Sequence, residues 1–358
     1  MEYWKAFITT ATLSAVICYL LIPVAGKFGL IDKPCSRKQH KGHIPLVGGL
    51  SIFVAATFGF IFFMQLTGQL SLFIFSSLLI VTVGALDDRF DLSVRVRIFA
   101  QLVAAGIIVF QSEVYISGLG NILGFGDITL GNWGMPFTVL AILAAINAYN
   151  MIDGIDGLLG SMAMVAFTGA MIYAGLNNQY VTLLFSIIMA AALLPFWFRN
   201  TGILLPKIRK VFMGDAGSMF IGMSVVWLLT LMINVGLAGD NGTNVRPISV
   251  LWLVAIPLMD MCAIMVRRVI RGQSPFLPDR DHLHHIFIRA GFSQREALAV
   301  ITLLAVTLVI IGIVLEIFKV PELMIFILFV SIFCIYCVGL RYSWRLVSWV
   351  RNFREIEK

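Results

Sequence analysis

Eleven long apolar segments constrain this chain more than any other feature of its sequence. Most of them are 16 to 21 residues long, which is close to the roughly 20 residues that an α-helix needs to cross a bilayer. Lipid leaves backbone groups without water, so such segments are expected to fold as helices, whereas barrel strands are shorter and alternate in polarity. The segments lie near 4–24, 46–66, 70–86, 98–111, 136–151, 158–175, 181–198, 216–235, 248–266, 297–317 and 322–340.

The composition agrees with an all-α polytopic membrane protein of about eleven transmembrane helices. Of the 358 residues, 59% are apolar and only 13% are charged, which excludes an ordinary soluble globule. The bilayer, and not the chain length, then sets the domain count. We expect a single transmembrane catalytic domain over 1–340 and a basic, aromatic tail over 341–358.

Positive charge orients the predicted helices. Of the 26 Lys and Arg residues, 23 fall in alternate loops and the tail, and the other side keeps only Lys5, Arg246 and Lys319. The positive-inside rule therefore places the N-terminus outside and the C-terminus in the cytoplasm. The net charge of +7 follows from this bias, so membrane lipid is an expected partner and nucleic acid is not. The predicted cytoplasmic loops are 25–45, 87–97, 152–157, 199–215 and 267–296.

A polar segment after the fifth apolar run is the strongest functional signal. It places Asn147, Asn150, Asp153 and Asp156 at intervals of three. Residues three apart are neighbours on a helix, so the spacing predicts a polar stripe at one end of a membrane helix. Carboxylates in a membrane segment are costly and usually functional. A polar loop that caps the next helix is the alternative interpretation.

Two further acidic motifs fall on the same predicted side. Asp87 and Asp88 close the third apolar run, and adjacent carboxylates suit a divalent cation, or a base beside a ligand. Phe212-Met-Gly-Asp215 precedes the eighth run, where Asp215 can cap a helix and leave amides for a phosphate. Phe212 can stack on a base, although such a residue usually packs. Solvated helix ends are the alternative for both motifs.

The basic loop over 267–296 contains His282-Leu-His284-His285. Three histidines in four residues could bind zinc, but this spacing suits a closed tetrahedral site poorly and no cysteine accompanies it. Phosphate binding together with nearby arginines fits better. A solvated basic loop is the alternative. The segment from Lys38 to Gly49 adds cations and flexible backbone near the same face.

Two other features carry no assigned chemistry. Asp260 lies inside the ninth apolar run, and we expect it to face the bundle and pair with a polar neighbour. The predicted outside loop over 112–135 is rich in glycine and could hold a short hairpin.

These motifs together resemble the polyprenyl-phosphate N-acetylhexosamine-1-phosphate transferase superfamily. They occur in order on one predicted face, between about 33 and 285. The His-x-His-His form and the preceding Ser274-Pro-Phe-Leu-Pro-Asp-Arg280 are most similar to the bacterial undecaprenyl-phosphate GlcNAc-1-phosphate transferase branch. The phospho-MurNAc-pentapeptide branch usually has three consecutive histidines and more lysines after its Asp pair.

The resemblance implies an inner-membrane enzyme that transfers GlcNAc-1-phosphate from UDP-GlcNAc to undecaprenyl phosphate and releases UMP. It implies Mg²⁺ as the cofactor, with Mn²⁺ as a substitute, and dimers occur in the superfamily. Catalytic roles are implied for Asp87, Asp88, Asp153 and Asp156. Metal ligands are implied at Asp215, Asn150 and Asp88. Contacts to the nucleotide sugar are implied for Asp156, Asn200, Phe212, His282, His284, His285 and Arg267.

Three alternatives remain at this stage. Another UDP-N-acetylsugar could be the donor, because a few unplaced side chains decide the sugar. An ion-coupled transporter would also carry intramembrane carboxylates, but here nearly all of them fall on one predicted face. A binding protein without turnover is disfavoured by the intact set of carboxylates.

Overall fold

The computed structural model describes residues 3–32, 42–203, 208–236, 242–273 and 282–342. Several residues named above therefore lie outside the described ranges. They are Lys33 to Lys41, Lys207, Ser274 to Asp281 and the tail from Ser343.

The described residues form thirteen α-helices. They are α1 (Tyr3–Leu21), α2 (Gly48–Phe63), α3 (Gly68–Phe90), α4 (Val94–Ser112), α5 (Gly134–Ile152), α6 (Leu158–Leu176), α7 (Tyr180–Thr201), α8 (Gly214–Ile233), α9 (Pro247–Val250), α10 (Ala255–Ile270), α11 (Leu283–Arg289), α12 (Gln294–Ile317) and α13 (Glu322–Arg341). Short 3₁₀ turns precede α5 at Gly131–Trp133 and join α9 to α10 at Leu251–Val254.

Within those described ranges, ten helical segments are long and apolar enough to cross a membrane, with α9 and α10 counted as one segment. The shorter apolar helix α2 corresponds to the predicted span 46–66. The structure thus confirms a mostly helical, polytopic protein. The count of eleven spans and the orientation of the termini stay predictions.

Helix α8 lies at the centre of the bundle. Every residue from Ala216 to Ile233 is buried, as expected for a helix that is apolar on all sides. Helices α2, α3, α5, α6 and α7 pack around it. An aromatic cluster, in which Phe73 contacts Phe185, Phe220 and Trp227, fills the space on one side. The central helix therefore has a fixed position from which its first turn can carry a site.

Small residues bring two helices close to the first turn of α8. A Cβ atom on Gly49 of α2 would overlap the backbone of Gly217. A Cβ atom on Gly84 of α3 would overlap the backbone of Ala216. Such small-residue contacts let helix backbones approach each other in membranes. They bring the start of α2 and the last turns of α3 against the start of α8.

Short strands complete this end of the bundle. Strand β1 (Ile31–Asp32) pairs with β2 (Ile44–Pro45) in antiparallel register. The backbone N–H of Phe212 donates to the carbonyl of Pro45 at 2.9 Å, and the N–H of Gly48 donates to the carbonyl of Phe212 at 3.0 Å. The segment before α8 is thus held along the segment before α2.

The hairpin predicted for the loop over 112–135 is confirmed. Strands β3 (Gly118–Gly120) and β4 (Ile128–Thr129) pair in antiparallel register there. The side chain of Glu322, at the start of α13, accepts a hydrogen bond from the backbone of Asn121. This loop is therefore attached to the last helix.

Two neighbouring segments are more helical in the structure than their predicted bounds. The proposed loop 87–97 is mostly helical, because α3 continues to Phe90 and α4 begins at Val94. Asp91 adopts a left-handed conformation with φ +53°, which ends α3 and permits this tight link. Likewise, the span predicted at 98–111 is longer, because Arg95 and Arg97 belong to the first turn of α4.

The polar stripe predicted over 147–156 is not one helix face. Helix α5 ends at Ile152, so Asn147 and Asn150 stay on it, whereas Asp153 and Asp156 follow it. Gly157 has φ +80°, and this conformation, which glycine adopts without strain, turns the chain into α6. The regular spacing of three therefore continues across a turn.

Candidate active site

The candidate site lies where the last turns of α3 and α5 meet the first turn of α8. Asp88 Oδ1 accepts a hydrogen bond from the backbone N–H of Asp215 at 2.9 Å, and Oδ2 accepts from that of Ala216 at 3.4 Å. These N–H groups have no partner inside α8. Asp88 therefore caps α8, and its negative charge faces the positive end of that helix.

Asn150 orients the second carboxylate of the site. Its Nδ2 donates to Asp215 Oδ1 at 2.5 Å and to Ser218 Oγ at 2.9 Å. Asn150 lies in the last turn of α5, whereas the other two residues lie in the first turns of α8. The amide thus fixes both the rotamer of Asp215 and the contact between these helix ends.

Asp87 completes a cluster of three carboxylates. It contacts the side chain of Asp215, although like charges at close range repel each other. Arg97 offsets this repulsion, because its guanidinium donates to Asp87 Oδ2 at 2.9 Å. The backbone N–H of Leu92 donates to the other oxygen at 2.7 Å. Asp87 is only 5% exposed, and these two contacts fix the position of its side chain.

The chemistry of this donor set fits Mg²⁺. Asp88, Asp215 and Asn150 offer hard oxygen atoms, and Mg²⁺ typically takes one or two carboxylates and completes its shell with water and substrate phosphates. Each carboxylate oxygen has two lone pairs, so the hydrogen bonds to Asp88 leave room for a cation. Among the described residues, no group of three or more His, Cys, Asp or Glu is arranged to hold a metal by itself.

A cation bridges two of the residues expected to contact nucleotide. Lys210 Nζ forms an ion pair with Asp156 Oδ2 and lies 5.0 Å from the centroid of the Phe212 ring. The side chains of Lys210 and Asp156 are about one-third exposed, at 32% and 33%. The structure therefore brings together Asp156 and Phe212. Lys210 lies in the predicted loop 199–215, and its position two residues before Phe212 was the available signal in the sequence.

Asn200 holds together the two loops that carry this ion pair. Its Oδ1 accepts from the backbone N–H of Gly157 at 2.5 Å, and its Nδ2 donates to the carbonyl of Val211 at 2.9 Å. The residue is only 7% exposed. Both ends of the amide are thus engaged with backbone, which gives Asn200 a positioning role. Its predicted contact to a nucleotide sugar stays a prediction.

The histidine segment folds against the loop that follows α5. His284 is 2% exposed, and a Cβ atom on Gly154 would overlap its ring. Burial lowers the pKa of His284 to about 3, with smaller contributions from His285 and His282. Its ring is therefore neutral near pH 7. The His285 ring lies beside it, with centroids 4.2 Å apart.

Asp260 pairs with the first histidine of this segment. Asp260 Oδ2 lies 2.8 Å from His282 Nδ1, which confirms the expectation of a polar neighbour. This contact attaches Asp260 to the site.

The remaining predicted residues lie at helix ends around the site. Asp153 directly follows α5 and is exposed, and Arg267 is half-buried in the last turn of α10. The structure thus gathers Asp87, Asp88, Asn150 and Asp215 in one cluster. Asp156, Asn200 and Phe212 form a second group, which the segment 211–215 connects to the first.

A family model described as "Glycosyl transferase family 4" matches residues 70–233. The matched region contains the carboxylate cluster, Asn150, Asn200 and Phe212. It ends before the histidine segment, so the family match alone leaves that segment unassigned.

Curated relatives extend the similarity over almost the whole chain. The chain is 41% identical over 343 residues to an undecaprenyl-phosphate alpha-N-acetylglucosaminyl 1-phosphate transferase of Yersinia pestis, an alignment that covers 96% of this chain and 92% of the relative. It is 42% identical to the protein of the same name from Pasteurella multocida (strain Pm70), with 94% and 93% covered. For the protein of that name from Escherichia coli (strain K12), the identity is 41%, with 93% and 89% covered.

Similarity of this extent, together with ten helices able to cross a membrane in the described part of the chain, identifies a multi-pass protein of the bacterial inner membrane. The chain belongs to the family of the undecaprenyl-phosphate alpha-N-acetylglucosaminyl 1-phosphate transferases.

Proposed function

We propose that this protein transfers GlcNAc-1-phosphate from UDP-GlcNAc to undecaprenyl phosphate and so produces GlcNAc-diphosphoundecaprenol and UMP. The names of its relatives support this reaction. The observation that carries the proposal is the convergence of Asp88, Asn150 and Asp215 at the first turn of α8. This site lies at one end of a bundle of apolar helices, where a membrane lipid can meet a soluble nucleotide.

In the proposed reaction, a phosphate oxygen of the lipid attacks the β-phosphorus of the donor. The bond from that phosphorus to the bridging oxygen breaks, and UMP leaves with the oxygen. One phosphoanhydride is broken and one is formed, so the reaction is close to thermoneutral and reversible. The acceptor is already an anion, so catalysis depends mainly on positioning and on neutralising charge.

The cofactor proposed for this step is Mg²⁺, with Mn²⁺ as a substitute. Asp215 and Asp88 would hold it, together with the amide oxygen of Asn150. When bound, it would neutralise charge on the diphosphate. Hydrogen bonds already fix the orientation of Asp88 and Asp215, so little reorganisation is needed on binding.

Asp87 fits an orienting role better than that of a free base. Arg97 and the backbone of Leu92 occupy its two oxygens, so its carboxylate is already engaged in hydrogen bonds. We assign to Asp87 and Arg97 the alignment of the lipid phosphate next to Asp215. This assignment follows from the contact between Asp87 and Asp215.

The donor's uridine would lie beside Phe212 and Asp156. An aromatic face can stack on the base, and Lys210 can turn from these two residues towards the diphosphate. Asp153, His282, His284, His285 and Arg267 would surround the phosphates and the sugar. The neutral ring of His284 suits a hydrogen bond or a packing contact better than charge neutralisation.

The proposed topology has eleven spans, a cytoplasmic C-terminus and a cytoplasmic site, and the positive-inside rule supports it. The product would be the first lipid-linked intermediate of a surface polysaccharide such as O-antigen or common antigen. A homodimer is the proposed assembly by analogy with the superfamily.

The test is a transfer assay with detergent-purified protein. The donor is UDP-GlcNAc that carries one label on the sugar and another on the β-phosphate, and the acceptor is undecaprenyl phosphate. Reactions run with Mg²⁺, with Mn²⁺ and with excess EDTA. We expect both labels to enter the lipid phase in equal amounts, with matching release of UMP, and we expect EDTA to stop transfer.

The alternatives predict different results in this assay. Transfer of the sugar label alone, with release of UDP, would contradict phosphosugar transfer. Transfer from UDP-GalNAc but not from UDP-GlcNAc would keep the mechanism and change the donor. Full activity in EDTA would exclude the proposed cofactor.

A further inference from the structure

Asp260 is the most deeply buried carboxylate outside the cluster of Asp87, Asp88 and Asp215 among the described residues, at 2% exposure. Burying a carboxylate is costly unless donors surround it. Three donors face this one. The backbone N–H of Leu283 donates to Oδ1 at 3.1 Å, the hydroxyl of Tyr336 donates to Oδ1 at 2.6 Å, and His282 Nδ1 lies 2.8 Å from Oδ2. Asp260 thus joins α10, the start of α11 and the last helix, α13.

The chemistry of these contacts fixes the His282 ring. An ionised carboxylate can only accept hydrogen bonds, so the proton between Asp260 and His282 lies on Nδ1. A carboxylate on one ring nitrogen sets the tautomer and orientation of an imidazole and stabilises its protonated form. Nε2 is then the ring atom that can donate to a phosphate oxygen.

Ring contacts connect His282 to the loop that follows α5. The rings of His282 and His284 are parallel to within 5°, with centroids 5.8 Å apart. His284 in turn packs against Gly154, between Asp153 and Asp156. Neither ring nitrogen of His284 has a hydrogen-bond partner among the residues that the structure describes. Among the described residues, packing therefore holds the His284 ring, and the pair of Asp260 and His282 anchors the chain two residues before it.

We propose that Asp260 is a positioning residue for the donor side of the reaction. It holds the Nδ1 proton of His282 and, with Tyr336, fixes the start of α11, so that residues 282–285 face the diphosphate of the bound nucleotide sugar. The inference rests on the proposed function. It adds α10 and α13 to the elements that determine donor use.

The kinetic test compares Asp260→Asn and Tyr336→Phe with the wild type. For Asp260→Asn we expect kcat/KM for UDP-GlcNAc to fall about 10- to 100-fold, by analogy with metal-bound histidines that lose their carboxylate partner. Tyr336→Phe should show a smaller loss in the same direction, and it keeps the test open if Asp260→Asn does not fold. The KM for undecaprenyl phosphate should stay within about twofold, because the contacts of Asp260 lead to the donor side.

Glu316→Gln is the matched control. Glu316 is also a mostly buried carboxylate in an ion pair, with Arg246 at 2.8 Å, but it lies at the end of α12, remote from the histidine segment. It should lower thermal stability without a selective effect on donor kinetics. The proposal would be overturned if Asp260→Asn lowered kcat/KM equally for UDP-GlcNAc and for undecaprenyl phosphate, and if Glu316→Gln caused the same losses.

A double-mutant cycle with His282→Gln separates positioning from a general structural effect. If Asp260 acts through His282, the double variant should be no slower than the slower single variant, because the effects of substitutions within one hydrogen-bonded network are not additive. Losses that multiply would overturn the proposal.

A spectroscopic measurement tests the contact without activity. The chain has five histidines, so ¹⁵N-histidine labelling with His→Gln variants can assign the rings. We expect a protonated Nδ1 on His282 that shifts in Asp260→Asn, and an unprotonated Nδ1 would contradict the proposal. If the wild type transfers no phosphosugar but this signal is present, the proposed function fails while the contact is confirmed.

Discussion

The backbone N–H of Asp215 donates to the side chain of Asp88 at 2.9 Å. Asp88 therefore caps α8, and Asp215, the second acidic residue of this contact, lies in the first turn of that helix. This contact ties the geometry of the carboxylates to the start of α8. It also requires the residue before Asp215 to be glycine. Gly214 has φ +72°, and a Cβ atom there would overlap Asp88 Oδ2.

Gly214→Ala should therefore damage the site directly. Strain at a positive φ costs about 1–3 kcal/mol, and the added methyl group displaces the side chain of Asp88. We therefore expect kcat to fall at least about tenfold, which corresponds to about 1.4 kcal/mol of transition-state stabilisation. Gly106→Ala is the control, because Gly106 lies within α4 with open space around it. The control should keep full activity and gain about 0.5–1 kcal/mol. Wild-type turnover in Gly214→Ala would show that the position of Asp88 is unimportant.

Asn200→Ala tests whether Asn200 positions loops or contacts substrate. The change leaves the N–H of Gly157 and the carbonyl of Val211 without their partner, which costs about 1–3 kcal/mol. We expect a lower melting temperature together with a higher KM for UDP-GlcNAc. A wild-type melting temperature with a raised KM would instead favour a direct contact to the nucleotide.

Lys210→Met tests the ion pair beside Phe212. An exposed ion pair contributes at most about 1 kcal/mol to stability, and both partners here are about one-third exposed. The melting temperature should hardly change. If Lys210 turns to the diphosphate, KM for UDP-GlcNAc should rise about tenfold, the equivalent of 1.4 kcal/mol, and Lys210→Arg should recover part of it. An unchanged KM in Lys210→Met would remove this lysine from donor binding.

His284 should make stability depend on pH. Burial lowers its pKa to about 3 in the folded protein, against about 6.5 in an unfolded chain. Only the unfolded state then binds a proton as the pH falls below about 6.5, so stability is kept above that pH and declines below it.

Melting temperatures in detergent at pH 7.5 and pH 5.0 measure this effect. The wild type should lose more stability at pH 5.0 than His284→Phe, which keeps a ring of similar shape but cannot titrate. Equal losses in the two proteins would contradict a buried, neutral His284.

The sequence alone was sufficient for features that depend on neighbouring residues. Apolar runs predicted the helices, and the glycine-rich loop over 112–135 predicted a hairpin. The acidic motifs predicted the cluster of Asp87, Asp88 and Asp215, because each lies at the end of an apolar run on one predicted face. In each case, local patterning and the constraint of the bilayer were enough.

Features that depend on tertiary contacts could not be predicted. Lys210 pairs with Asp156 from 54 residues away, and His282 pairs with Asp260 across 22 residues. No periodicity marks such pairs. The interval of three did not predict the structure beyond Ile152, because it continues through the turn that contains Gly154 and Gly157.

The most direct test of the account compares Asp215→Asn with the wild type in the labelled transfer assay at saturating Mg²⁺. Asparagine keeps the size of the side chain and the helix start, but it removes the charge proposed to hold the metal. We predict a melting temperature close to that of the wild type and a loss of UMP release of at least about 100-fold, the size seen when one key electrostatic group of an active site is removed. Wild-type turnover by the folded variant would contradict the account.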